Sequence, residues 1–276
     1  MPQTLPAFVI NLDRRPDRLE RIGEHLAERG VSFQRVPACD ARSVAEERIA
    51  RVVAPHGPLG QLGQGDRACT VSHTLAWEQF LESPASHGMF LEDDIYLAGD
   101  LMQILAHADW IPPETHAVKL EKYGDGASRL LLGRKIGQTP SGRALHPMCS
   151  RHVGGGAYIL SRAGARAALD WRGRIRVPVD HFLFNDTVSP LRRVLRPAMV
   201  VPAMATQRAY DYNSDIAAMG KAVRPKGWRK TLRTLRRGGN EINQSPRQIL
   251  QYLTGRARLM DVEFAETPPA TTDSRR

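Results

Sequence analysis

The stretch that most limits how this chain can fold is Met89-Phe90-Leu91-Glu92-Asp93-Asp94-Ile95-Tyr96. An apolar run meets three consecutive carboxylates and apolar residues follow at once, so the acids stand in a strand context and not on a solvated helix face. Isolated buried charge is very costly without a partner. A buried strand ending in acids fits an open α/β sheet, whose ligands gather beyond the carboxyl ends of its strands. A divalent cation is the simplest partner for them.

The rest of the chain supports such a sheet. Ala7 to Leu12 reads as a short buried strand, and Asp13 and Pro16 start a helix that carries Leu19, Ile22 and Leu26 on one face and stops at Gly30. A second strand, Ser32 to Pro37, closes a β-α-β unit. Its first turn lacks G-x-G-x-x-G and instead carries Asn11, Asp13, Arg14, Arg15 and Arg18, so a phosphate there would be held by arginine forks and the helix N-terminus. Arg15 reads as a surface group; Arg14 and Arg18 stand between that reading and a phosphate contact. Ala41 to Ala54 reads as a polar helix and Pro55 to Gly65 as a loop. Asp66 is expected to cap a helix reaching Glu82, in which Cys69, His73, Ala76 and Phe80 share the inward face. Taken alone, His73 reads as a core histidine, although Ser72 and Trp77 beside it also suit a polar pocket wall.

Beyond the acids, Leu101 to Ala108 reads as a helix. His116 to Glu121 is a strand that, like the first, ends in a carboxylate. Tyr123 to Met148 reads as a loop excursion with Leu130 to Leu132 as a hairpin arm. Gly154-Gly155-Gly156 permits close backbone approach ahead of the strand Ala157 to Leu160, and Ser161 caps the next helix. Asp180, at the start of a short helix, is either its cap or a catalytic group. Val194 to Val201 reads as the last strand. Cys39, Cys69 and Cys149 are too few and too scattered for a disulfide framework or a zinc motif and are expected as reduced thiols.

The net charge of +10 is concentrated: residues 221 to 258 hold eleven Lys or Arg against one acid, Glu241. Such a block points to a polyanion. Trp228, Leu232 and Leu235, then Ile249, Leu250 and Leu253, recur at helical spacing among these basic residues, as in helices that lie on anionic membranes. Nucleic acid is not favoured, since few aromatics interleave with the charges. No run suits a membrane span and the N-terminus carries no secretory pattern, so the expectation is a cytoplasmic chain, peripheral on an anionic membrane surface.

Five blocks then occur in an order that resembles glycosyltransferase family 25, the group of bacterial lipooligosaccharide galactosyltransferases that also includes collagen galactosyltransferases. They are Val9 to Arg18 (VINLDRRPDR), Gly65 to Trp77 with Cys69, Ser72 and His73, Leu91 to Asp94 (LEDD), Gly156 to Ala165 (GAYILSRAGA) and Pro178-Val179-Asp180. The resemblance covers roughly residues 7 to 200. Gly65-Asp66 and Ala68 depart mildly from the family's Gly-Glu and further glycine.

The resemblance implies a GT-A-type nucleotide-diphosphosugar transferase fold, a Rossmann-like mixed sheet with flanking helices over residues 1 to 203, followed by a basic helical tail over residues 204 to 276. It implies an inverting, metal-dependent transfer of a hexose, galactose from UDP-galactose in the family, to a cell-surface glycan or glycolipid acceptor. Glu92-x-Asp94 would hold Mn²⁺ or Mg²⁺ in place of the usual Asp-x-Asp. Asn11, Leu12, Arg14, Arg18, Ser72, His73 and Asp93 would border the nucleotide sugar, and Gly155, Gly156 and Tyr158 the donor sugar or acceptor. The acceptor's base is expected to be Asp180, then Glu121. An extended chain through Asp94 would make that residue the main ligand and turn Asp93 to the ribose; a tight turn from Asp93 would reverse the two. The competing classes are a metal-dependent phosphohydrolase or nuclease and a non-enzymatic polyanion-binding protein.

Overall fold

The structure, a computed structural model, describes residues 5–124, 128–207 and 246–268. In chain order they form β1 (Ala7–Asn11), α1 (Pro16–Ala27), β2 (Phe33–Pro37), α2 (Glu46–Ala50), β3 (His56–Gly57), β4 (Gly60–Gln61), α3 (Gln64–Glu82), β5 (His87–Glu92), β6 (Ile95–Leu97), α4 (Leu101–Leu105), β7 (Ala117–Lys119), β8 (Glu121–Lys122), β9 (Ser128–Gly133), β10 (Gly137–Gln138), β11 (Ala144–Pro147) and β12 (Ala157–Ser161). There follow α5 (Arg162–Leu169), α6 (Val179–Phe184), α7 (Leu191–Leu195), β13 (Ala198–Val201), β14 (Ala205–Gln207), α8 (246–253) and β15 (Ala257–Val262). The expected mixed α/β fold is what these elements build. The main sheet has the order β10-β11-β13-β7-β12-β5-β1-β2, with β2, β1 and β5 parallel and β12 antiparallel between β5 and β7.

Alternation along the central strands decides the two faces. Phe8, Phe90 and Tyr158 are register neighbours on β1, β5 and β12, and their rings stack at 5.6 and 5.3 Å. They pack beneath Trp77 and Phe80 of α3. Gly88, two residues before Phe90, has no side chain because a Cβ there would come within 2.8 Å of the Phe80 ring. Val9, Met89, Leu91 and Ile159 fill the opposite face with Ile22 and Leu26 of α1. The parallel strands β1 and β5, and β7, thus deliver their carboxyl ends to one edge, and antiparallel β12 begins there.

Several boundaries differ from the pattern reading. The polar helix expected over 41–54 contracts to α2, and the helix after Asp100 stops at Leu105. Gly63, not Asp66, is the extended N-cap of α3; Asp66, in the first turn, accepts back from the Gly63 N–H as in a capping box. Residues 194–201 divide into the end of α7 and β13, with Arg196 between them in the left-handed region (φ 44°). Leu130 to Leu132 belong to β9, which pairs with β15 far along the chain and not with a hairpin neighbour. Of the tail expected after residue 203, β14 joins β6 and β8 in a second sheet, β15 pairs with β9, and Ala203 bridges to Phe264. Trp228, Leu232 and Leu235 lie outside the described residues. Ile249, Leu250 and Leu253 of α8 are exposed.

One buried ion pair ties these late segments to the domain. Arg143 is fully buried and pairs with Asp100 through Nε (2.8 Å) and Nη2 (2.6 Å). Its remaining donors reach the carbonyls of Pro202, Ala203 and Ala265. Removing one partner of such a pair strands a charge, so Asp100→Ala is expected to lower the unfolding free energy by about 3–5 kcal/mol in chemical denaturation.

Candidate active site

The acid triplet sits where β5 ends: Glu92 is its last residue, Asp93 and Asp94 form a tight turn, and β6 follows. Glu92 continues the Gly88, Phe90 face and so meets α3, with Oε1 at 3.3 Å from His73 Nε2 and 3.8 Å from Cys69 Sγ. Asp93 turns toward α1. Its Oδ2 accepts from Asn11 Nδ2 (2.7 Å) and its Oδ1 from Arg18 Nη1 (3.1 Å). Asp94 accepts from Gln207 Nε2 at 3.3 Å and lies 3.6 Å from Arg18. The turn is therefore present, yet Asp93 is not released by it. Asp93 is buried against its own chain, whereas the Glu92 and Asp94 side chains remain 22% and 23% exposed.

His73 is oriented from beneath. Its Nδ1 is 2.7 Å from the Tyr158 hydroxyl, which also accepts from Trp77 Nε1 at 2.9 Å. Trp77 can only donate, so the phenol's own proton is free for Nδ1; this accounting places the imidazole proton on Nε2, facing Glu92. Complete burial holds the His73 pKa down at about 3, so the ring stays neutral. Tyr158, expected at the sugar, is instead fully buried and serves to hold His73. Ser72 likewise serves the backbone: its Oγ donates to the Ala68 carbonyl and accepts from the Cys39 N–H.

Glu121, expected as the end of one strand, instead opens β8 after β7 has ended at Lys119, and it is neutralised within the protein. Glu121 Oε2 accepts from Lys119 Nζ (3.1 Å) and from the Gly156 N–H (2.9 Å), and both side chains are fully buried. Lys119 also donates to the Gly154 carbonyl and lies 4.7 Å over the Phe184 ring. Glu121 Oε1 has no hydrogen-bond partner. The three glycines pass directly over these acids. A Cβ on Gly154 (φ 87°) would fall 2.8 Å from Glu121, and one on Gly156 2.8 Å from Ile95. A Cβ on Gly155 would stand 3.2 Å from Val179 and 3.5 Å from Glu92. Asp180, half-buried on α6, closes the loop by accepting from Gly154 N at 3.1 Å and from His181 N at 2.7 Å.

Electrostatically the site is short of positive charge. Burial first, then neighbouring carboxylates, push the pKa values of Glu92 and Asp94 well above the ordinary carboxylate range. Burial and Asp180 raise Asp66 as well. Cys69, half-buried beside Glu92, is held as the protonated thiol. Cys69, His73 and Glu92 offer ligand atoms within 4.8 Å of one another, a set that could chelate a metal.

The structure brings Asn11, Arg18, His73, Glu92, Asp93, Asp94, Glu121, Gly155, Gly156 and Asp180 into one neighbourhood. Leu12 is half-buried where β1 gives way to the turn before α1. Arg14 lies beside it and pairs with Asp40 at 2.7 Å. Lys119 and Gln207 join this neighbourhood without having been expected there. A lysine between Val118 and Leu120 in an apolar strand was the available signal for Lys119. Gln207 lies beyond the expected domain boundary.

Residues 4–183 match the family described as glycosyltransferase family 25 (LPS biosynthesis protein). The chain is 26% identical over 276 residues to the lacto-N-neotetraose biosynthesis glycosyltransferase LgtB of Neisseria gonorrhoeae, covering 90% of this chain and 96% of that one. It is 26% identical over 167 residues to LgtE of the same organism, 59% of each chain. Over 190 residues it is 30% identical to the Bos taurus protein named "Probable inactive glycosyltransferase 25 family member 3", covering 64% of this chain and 30% of that one.

The paired acids set a pH dependence. A carboxyl whose pKa is higher folded than unfolded keeps its proton longer in the native state, so stability falls as pH rises from the unfolded value through the folded one, about 7 for Glu92 and Asp94. Above that window the whole penalty remains. Glu92→Gln or Asp94→Asn is therefore expected to stabilise the ligand-free protein at pH 8 by on the order of 2 kcal/mol and to flatten that slope, as read from thermal melts across pH.

Proposed function

Since the chain belongs to glycosyltransferase family 25, we propose that it moves a hexose, galactose from UDP-galactose, onto a lipooligosaccharide-type acceptor with inversion at the anomeric carbon. Its glycosyltransferase class follows from the family; the donor, acceptor and metal are our reading. The observation that carries it is the pair Glu92 and Asp94, carboxylates left with open sides at the carboxyl edge of the sheet while Asp93 and Glu121 are neutralised internally. The names of the Neisseria relatives, enzymes of lacto-N-neotetraose biosynthesis, support a glycan acceptor.

The donor set fits a hard divalent cation. Glu92 and Asp94 provide oxygens whose mutual repulsion a cation relieves, as Mg²⁺ and Mn²⁺ sites require. Cys69 suits such an ion poorly because its thiol is held protonated. When bound, the ion supplies Lewis-acid neutralisation of the diphosphate leaving group. Arg18, between Asp93 and Asp94, adds fixed positive charge on the same side. His73 donates from Nε2 toward Glu92 and keeps that carboxylate oriented. The glycine loop lets backbone approach the sugar, and Asp180 accepts the acceptor hydroxyl's proton. Asp180 is preferred to Glu121 as base because Glu121 is wholly buried and paired with Lys119. No helix among the described residues is long and apolar enough to cross a membrane. The exposed apolar residues of α8 support docking on the cytoplasmic face of the inner membrane, within the basic region 221–258.

A panel of nucleotide sugars with Mn²⁺ tests the reading. Transfer or hydrolysis of UDP-galactose is expected, and indifference to every donor refutes it. Asp94→Ala is expected to lower kcat/KM by about a hundredfold or more with loss of Mn²⁺ dependence. Asp180→Asn is expected to lower kcat roughly 10²–10⁴-fold with KM little changed, as for loss of a general base.

A further inference from the structure

A cavity of about 460 Å³ lies where β11 ends and β13 begins, walled by α7 and roofed by α8. Pro147 pairs with Ala198, the first residue of β13, and Ala198 is level with Val118 of parallel β7. The cavity therefore sits at the amino edge of the parallel strands, opposite the edge that carries Glu92 and Glu121. It is lined by Arg192, Arg193, Arg196 and Arg247, with Asp186 the one acid among the described lining residues.

That acid is committed through one oxygen, its buried Oδ1 having no hydrogen-bond partner. Asp186 Oδ2 accepts from Arg192 Nη1 at 3.2 Å, and Arg192 also donates to the Met148 carbonyl. Arg192 is only 9% exposed, and its Nε has no hydrogen-bond partner. Arg193, Arg196 and Arg247 have no ion pair among the described residues. Arg196 is held at the C-cap of α7 with φ 44°, a conformation that costs a non-glycine residue about 1 kcal/mol or more and that clusters at ligand clamps. Gln248 and Gln251 face the cavity beside Arg247, and Gln248 Nε2 is anchored to the Cys149 carbonyl at 3.1 Å. Guanidinium forks of this number suit phosphate oxygens. The volume falls in the range of small-molecule sites, so it admits a phosphate together with the group that it esterifies.

We propose that this cavity is a second binding site, separate from the acid cluster, and that it takes a phosphate group, carried by a lipid headgroup or by a soluble phosphoryl compound. The two sources share the same chemistry at the arginines. Nothing in this site depends on the transferase reading, so either can fail alone.

Cys149, half-buried in the cavity wall, reports occupancy. Alkylation of the full-length protein by iodoacetamide is followed peptide by peptide in mass spectrometry, with Cys39 as the internal reference. Inorganic phosphate, against chloride at equal ionic strength, is expected to slow Cys149 roughly tenfold at tenfold excess over its dissociation constant, since only the empty site reacts. The variant Arg193→Glu/Arg247→Glu changes two exposed side chains outside the acid cluster, so it should keep the wild-type melting temperature and lose the protection. Protection by inorganic phosphate identifies a soluble ligand. Protection only by phosphatidylglycerol vesicles, absent with vesicles of a phosphate-free galactolipid and lost in the variant, identifies a headgroup. The proposal is overturned if neither probe protects, if the variant is protected equally, or if the phosphate-free galactolipid protects as well.

Discussion

Negative charge gathered at a buried sheet edge is the constraint on which the rest of this structure depends. Asp66, Glu92, Asp93, Asp94, Glu121 and Asp180 converge there, and burial makes each of them expensive unless something answers it. The chain gives two of them charged partners of their own. Asp93 receives Asn11 and Arg18, and Glu121 receives Lys119 and the Gly156 N–H. Glu92 and Asp94 have only weak or distant partners, and burial together with neighbouring carboxylates raises their pKa values. A site that neutralised all its acids would have no use for a cation. One that neutralised none would resist folding.

The same economy explains the layers beneath. Aromatic residues that would be ordinary core in another sheet are given polar tasks: Trp77 fixes the Tyr158 hydroxyl, which fixes His73, which faces Glu92. The links among Trp77, Tyr158 and His73 are buried, so a loss at either leaves an unpaired polar atom and not merely a looser contact. Above the acids, only glycines let the backbone pass close enough for its own N–H and carbonyl groups to take part, Gly156 donating to Glu121 and Gly154 accepting from Lys119.

Much of this was legible in the sequence because the signals were local. Short apolar runs gave β1, β5 and β12, helical spacing gave α1 and α3, and acids at strand ends located the edge. What stayed hidden was pairing at a distance. No pattern around Asp93 says that Arg18 and Asn11 will claim it, so the expected exchange of roles at a tight turn did not follow. Tyr158 had the spacing of a core residue and the chemistry of a site residue, and burial decided for the core. Lys119 was readable only as a charge in an apolar strand. The Leu130 to Leu132 strand lacked a nearby partner because its partner, β15, is some 130 residues away, as Arg129 opposite Asp261 shows.

That distant pairing bears on where the domain ends. Gln207, which reaches Asp94, stands on β14, held between β6 and β8. Met204 and Ala205 donate to Leu120 just before Glu121, so this segment also braces Glu121. Its entry is fixed by Arg143, which binds the Pro202 and Ala203 carbonyls, and by Phe264 bridging to Ala203 after β15. Arg143 further binds Ala265, and Arg29 of the α1 end pairs with Glu266. One wall of the acid site is thus positioned by residues near the far end of the chain. A division at residue 203 would cut through the support of Asp94, and the unit that carries the chemistry extends at least to Glu266.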